Sequence, residues 1–121
     1  KMDDTMKYLE EKFSTEIPEY TICAKRGDDG EFYHYWYIGS KNTDLNKKEV
    51  ASALDKHLKA VNKNYKVARG KALKGVKVNL LAPEKFHDWS AYNKKKGGQV
   101  KMERVMNEER FLVWERFVKG A

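Results

Sequence analysis

Asp28-Asp29-Gly30-Glu31-Phe32-Tyr33-His34-Tyr35-Trp36-Tyr37-Ile38 decides the fold, because it joins a turn signal to a strand that is apolar on both faces. Successive strand side chains point to opposite sides, so Phe32, His34, Trp36 and Ile38 share one face while Tyr33, Tyr35 and Tyr37 share the other. A strand of this kind has to be covered twice. Residues 17–26 also favour a strand, and Asp28-Asp29-Gly30 between the two runs is a hairpin signal in which glycine supplies a positive φ. The aspartates read as turn formers, since a calcium loop needs further oxygen ligands at set spacing and none follow. His34 reads as a packed histidine rather than a ligand, because neither His57 nor His87 lies at metal-ligand spacing.

Helices are expected on either side of this hairpin. Met2, Met6, Leu9 and Phe13 recur every three or four residues, an amphipathic stripe that must end before Pro18. Asn46 with Glu49 three residues on is a capping pair, followed by the helical stripe Val50, Ala53, Leu54, His57, Leu58 and Val61. Residues 62–64 end that helix, 65–73 read as a short basic helix stopped by Gly75, and 76–81 read as a third strand. Pro83 opens a helix through Phe86, Trp89 and Tyr92, residues 100–105 are a candidate fourth strand, and Asn107 caps a last helix whose apolar face is Phe111, Trp114 and Val118. Glu108 and Glu109 in its first turn suit the helix dipole. The predicted fold is α+β: a small, mostly antiparallel sheet of three to four strands packed with helices.

The 121 residues fit one domain, large enough for a core but short for an enzyme that must enclose two substrates. No apolar run crosses a membrane and no segment reads as a signal peptide, so the expectation is a soluble cytoplasmic protein. Its opening at Lys1-Met2 reads as a piece cut from something longer. Cys23 is the single cysteine, which rules out an internal disulfide and a metal site of several thiolates. It is expected to pack in a strand. Lys and Arg number 5 against 9 Asp and Glu in residues 1–40, 16 against 5 in 41–101, and 4 against 4 in 102–121. The basic middle points to an anionic partner or serves solubility alone.

No phosphate-binding loop, nucleophile elbow or dinucleotide turn is present, so a complete active site is not visible. What remains is Gly97-Gly98-Gln99-Val100-Lys101-Met102-Glu103-Arg104, which sets a mobile lysine in a glycine-hinged loop just before the last helix. An ammonium on such a loop can be carried to a phosphate. The run at residues 94–96 reads as solvated surface.

In order, Leu58, Asn62, Tyr65 and Arg69, then Val76-Lys77-Val78, then Phe86 and Trp89, then the octet from Gly97 to Arg104 resemble the end of the auxin-responsive Gretchen Hagen family of acyl-acid amido synthetases. Tyr33-His34-Tyr35-Trp36-Tyr37 is similar to that family's His-Tyr-containing second strand. The resemblance covers roughly residues 17–113, its most specific part is the Gln-x-Lys-x-x-Arg core, and it departs at Glu103, where the family has proline.

The resemblance implies the mobile C-terminal domain of a two-domain, luciferase-like adenylate-forming enzyme whose large N-terminal adenylation domain is its partner. Such enzymes use ATP and Mg²⁺ to convert an acyl acid to an acyl-adenylate, which an amine or amino acid then attacks to form an amide. No cofactor is expected on this domain alone. A lysine on the small domain bridges the acyl carboxylate and the α-phosphate in related enzymes, and Lys101 matches it as the catalytic residue. Gly97, Gly98, Gln99 and Arg104 would be nucleotide-binding. Gly97 and Gly98 would let the loop close, Gln99 would orient Lys101 or cap a backbone group, and Arg104 would either contact phosphate or anchor the loop to an acid. The competing class is a basic α+β module for RNA or another anion, but the aromatic strand lacks the glycines and basic start of an RNP motif, so nucleic acid is not the expected partner.

Overall fold

The computed structural model describes residues 2–97 and 101–120. Helix α1 (Met2–Phe13) leads into the hairpin β1 (Glu19–Arg26) and β2 (Phe32–Gly39), then α2 (Lys47–Val61), α3 (Lys63–Arg69), β3 (Leu73–Leu81), α4 (Glu84–Lys95) and α5 (Glu108–Val118).

The hairpin turn forms as its residue types require. Gly30 takes φ +82°, the Gly27 amide donates to the Glu31 carbonyl at 2.8 Å, and the Asp29 carboxylate accepts from the Glu31 amide at 3.0 Å and the Tyr33 hydroxyl at 2.5 Å. The caps are equally local. Asn46 accepts from the amides of Lys48 and Glu49, and Asn107 from that of Arg110. Asn62 closes α2 with its backbone and opens α3 with its side chain, accepting from the Tyr65 amide. Each such cap contributes roughly 1 kcal/mol.

The order β1-β2-β3 places the aromatic strand in the centre. Its two faces separate two cores, as the period-two reading requires. On one side Trp36 and Ile38 meet Met6 and Leu9 of α1, Leu54 and Leu58 of α2 and Tyr65 of α3. On the other, Tyr37 meets Phe86 and Trp89 of α4 and Phe111 and Trp114 of α5. Cys23 packs buried in this second core, where burial pushes its thiol pKa up, the state of an inert cysteine.

The α+β class holds, but the sheet is mixed rather than mostly antiparallel. β1 pairs antiparallel with β2, whereas β3 runs parallel to β2, Trp36 facing Val78 and Ile38 facing Leu80. The physical reason is the connection: α2 and α3 form a crossover that returns the chain to the same end of the sheet, and a parallel pair needs such a crossover. The third strand also begins earlier than its sequence reading. Leu73 is buried opposite Phe32, so residues 73–75 join β3 and the preceding helix stops at its C-cap, Gly70. Gly75 lies inside the strand, at a register shift between Phe32 and Tyr33. A helical local preference yields here to burial of Leu73.

Among the described residues the candidate fourth strand reduces to one parallel bridge, Ile22 to Val105. The Ile22 amide donates to the Arg104 carbonyl and the Met106 amide to the Ile22 carbonyl, both at 2.9 Å. The chain then turns at once into the Asn107 cap.

Candidate functional site

Helix α4 ends in a turn at Lys96, and Gly97 follows at φ +75° with open space where a Cβ would stand. Glycine is required here by backbone conformation, not by packing. Gly98 and Gln99, the next two candidates, lie outside the described residues. Lys101 is exposed and makes no ion pair among the described residues. It lines a groove of about 800 Å³ together with Glu19, Glu84, His87 and Lys94, over a base that includes Phe86 and Met102.

The C-terminal side of this loop is held firmly. The Thr21 hydroxyl donates to the Glu103 carbonyl at 2.7 Å, while both Glu103 carboxylate oxygens accept from the Arg110 Nε, at 2.9 and 3.0 Å. Arg110 extends the clamp to α4, donating to the Asn93 side chain at 2.7 Å and lying 4.6 Å from the centroid of the Trp89 ring. Glu103 therefore spends its charge on Arg110 and ties the loop to two helices.

Arg104 takes the anchoring geometry of its two readings. Its guanidinium pairs with Glu19 at 3.2 Å and Asp3 at 3.7 Å, 5.0 Å from the centroid of the Tyr20 ring. Burial alone would lower its pKa, but Glu19, with Tyr20 and Asp3, more than offsets this and raises it, holding the cation charged. Lys101 and Arg104 are thus not brought together on one ligand position here: the lysine faces the groove and the arginine faces β1 and α1.

The Asn62, Tyr65 and Arg69 pattern has a structural explanation. Tyr65 and Arg69 both donate to Asp55 of α2, with Arg69 Nε 2.8 Å from Oδ1 and Nη2 3.2 Å from Oδ2, and Arg69 also reaches the Leu73 carbonyl at 3.2 Å. Burial alone would raise the Asp55 pKa, but these hydrogen bonds and the charges of Arg69 and Lys59 bring it down to about 2. The motif locks α3 to α2 and to the start of β3.

Sequence reasoning missed the groove partners of Lys101. His87 and Lys94 lie seven residues apart on α4, a helical spacing that puts both on one face, but nothing local shows which face borders the loop. Two histidines pack against rings: His34 is half-buried against Tyr65, where desolvation lowers its pKa, and His57 meets Tyr8 edge-on at 4.3 Å. No group of three or more His, Cys, Asp or Glu among the described residues is arranged to hold a metal ion, and none of the described helices is long and apolar enough to cross a membrane. Trp36 and Tyr37 are buried and so closed to stacking, while Phe32, Tyr33, His34 and Tyr35 at the start of the strand are half-buried.

Comparison with curated protein sequences gives no significant match. Solved structures share the fold, two acyl acid amido synthetase structures among them. The GH3.15 acyl acid amido synthetase aligns over 98% of this chain and 22% of its own at 12% identity and a TM-score of 0.71. The structure described as AtGH3.15 acyl acid amido synthetase in complex with 2,4-DB aligns over 93% of this chain and 22% of its own at 19% identity and a TM-score of 0.65. The chain thus spans about a fifth of the length of these proteins. A model of the GH3 family C-terminal domain matches residues 1–110, and with that match the chain belongs to the GH3 family, as its C-terminal domain.

Proposed function

We propose that this chain is the mobile C-terminal lid domain of a cytoplasmic, ATP-dependent acyl-acid amido synthetase, and that Lys101 is the group it supplies to acyl-adenylate formation. The observation that carries this reading is the position of Lys101: an exposed cation at a groove, without an ion pair among the described residues, two residues before a firmly clamped anchor, in a domain of the GH3 family. A lysine held in that way combines reach with direction. Its N-terminal side turns on Gly97, and its C-terminal side is fixed by Glu103 and Arg104.

In the first half-reaction an acyl carboxylate oxygen attacks the α-phosphorus of ATP, and the bond from that phosphorus to the bridging oxygen breaks to release pyrophosphate. Negative charge builds on the phosphoryl oxygens, and a cation delivered there stabilises the transition state more than the ground state. In the second half-reaction an amine nitrogen attacks the acyl carbon, the bond to AMP breaks, and the nitrogen loses its proton. Mg²⁺ would neutralise phosphate charge in the first step. The residues here fit that scheme as a source of cationic charge rather than of metal ligands, which we assign to the large N-terminal domain. The acyl and amine pockets are assigned to that domain as well.

The test uses the full-length protein. Lys101→Ala is expected to lower the rate of ATP–pyrophosphate exchange by about 10²-fold, the scale of one lost electrostatic donor. Substrate KM values and the melting temperature should change little. Amide formation from a pre-formed acyl-adenylate should fall much less. Exchange at the parent rate would remove Lys101 from the chemistry.

A further inference from the structure

Residues 46–81 carry ten Lys and Arg but only two acids, Glu49 and Asp55. The fold gathers part of that excess around a groove of about 460 Å³ between α2 and β3, bordered by Lys47, Lys48, Lys74, Lys77, Arg69 and Asp55. The one carboxylate is already engaged: Asp55 is held by Tyr65 and Arg69 and pairs with Lys59 at 3.4 Å. Arg69 is spent in the same network. The four lysines are exposed and make no ion pair among the described residues, and the Lys77 ammonium lies 4.5 Å from the centroid of the Tyr33 ring. Asp29, which feels the charge of Lys77, is occupied by the Tyr33 hydroxyl. Between the lysines the border is open, since a Cβ on Gly75 would meet nothing within 4 Å.

We infer that this groove binds a small ligand carrying two or more phosphate groups. Lys47, Lys48 and Lys74 border the groove from two elements, while Lys77, in register with Tyr35, stands at its edge over the Tyr33 ring; these like charges repel one another, and a ligand of several negative charges relieves that repulsion. Lysine ammoniums act as point charges that suit phosphate clusters without the planar match a carboxylate asks of arginine, and the only guanidinium present is committed to Asp55. The size is that of a small-molecule site. A nucleic acid would ask for several open rings to stack bases or an element to enter a duplex groove, whereas Tyr33 is the one ring among the groove's lining residues and carries the Lys77 ammonium over its face. No lining residue is shared with the Lys101 groove, so this site stands apart from adenylation.

The test is a titration of the chain with inorganic triphosphate at about 50 mM salt, followed by calorimetry and by amide chemical shifts. Saturable one-to-one binding is expected, with shifts concentrated at residues 47–52 and 74–78. Lys74→Gln/Lys77→Gln should weaken it at least about tenfold, the scale of one or two lost charge-assisted hydrogen bonds. Lys63→Gln/Lys66→Gln removes the same charge from α3 outside the groove and should leave affinity within about twofold. Circular dichroism of both variants establishes that they are folded. Equal weakening by the two pairs would reduce the groove to diffuse surface charge and overturn the inference. So would shifts spread over the basic face, or tighter binding of duplex RNA or of an oligoglutamate peptide than of triphosphate.

Discussion

Asp55 is the residue on which the first half of the molecule turns, because it receives Tyr65 and Arg69 of α3 while sitting on α2. Its pKa of about 2, against an ordinary value of 3.8, means that the folded state binds its proton more weakly than the unfolded state. The stability this contributes is fully present above pH 3.8 and is lost as pH falls from there through about 2. The shift corresponds to roughly 2 kcal/mol. Asp55→Asn is expected to destabilise the chain by about 2–3 kcal/mol at neutral pH, since it strands a half-buried guanidinium. It should also flatten the fall in urea midpoint between pH 4 and 2, a comparison that urea titrations of the two proteins read directly. Parallel acid profiles would assign the acid sensitivity to other carboxylates.

Between elements, contact is set by one glycine and one glutamate. Gly39 closes β2 against α4, where an added Cβ would lie 2.8 Å from Phe86 Cε1, 3.0 Å from Cδ1 and 3.3 Å from the Glu19 carbonyl. Phe86 is a buried ring with no room to swing, so Gly39→Ala is expected to cost about 1–3 kcal/mol by overpacking, read as a lowered denaturant midpoint at unchanged slope. Glu103 joins the Lys101 loop to α5 through Arg110 and thence to Asn93 of α4. Glu103→Ala frees that arginine and should accelerate amide hydrogen exchange at residues 103–106 by several-fold while β2 exchange stays unchanged. Glu103→Pro should recover part of the protection by restricting the backbone instead. Unaltered exchange in Glu103→Ala would show that the backbone bonds to Ile22 and the hydroxyl bond from Thr21 suffice.

Across the whole molecule the two cores share β2, so neither can melt without exposing one face of the other. Trp36 reports the core under α1, α2 and α3, and Trp89 and Trp114 report the core under α4 and α5. Fluorescence of a Trp36→Phe variant and of a variant retaining only Trp36 should therefore give transitions that coincide with each other and with far-ultraviolet circular dichroism. Separate midpoints would mean two independently stable layers. The same arrangement divides what the sequence by itself determined from what tertiary structure decided. The alternation of β2, the stripe of α1, the Asn46, Asn62 and Asn107 caps and the Asp-Gly turn are contained in spacing and residue type, because they depend on neighbours a few residues away. Around Lys101 the sequence reading was of a glycine-hinged cation, of which the described residues show Gly97 at φ +75°. The parallel direction of β3, the early start of that strand at Leu73, the pairing of Glu103 with Arg110 and the meeting of Lys101 with His87 and Lys94 were decided only by packing. A period-two pattern reads the same in either strand direction, and charges far apart in the chain have no partners until the layers close around the sheet.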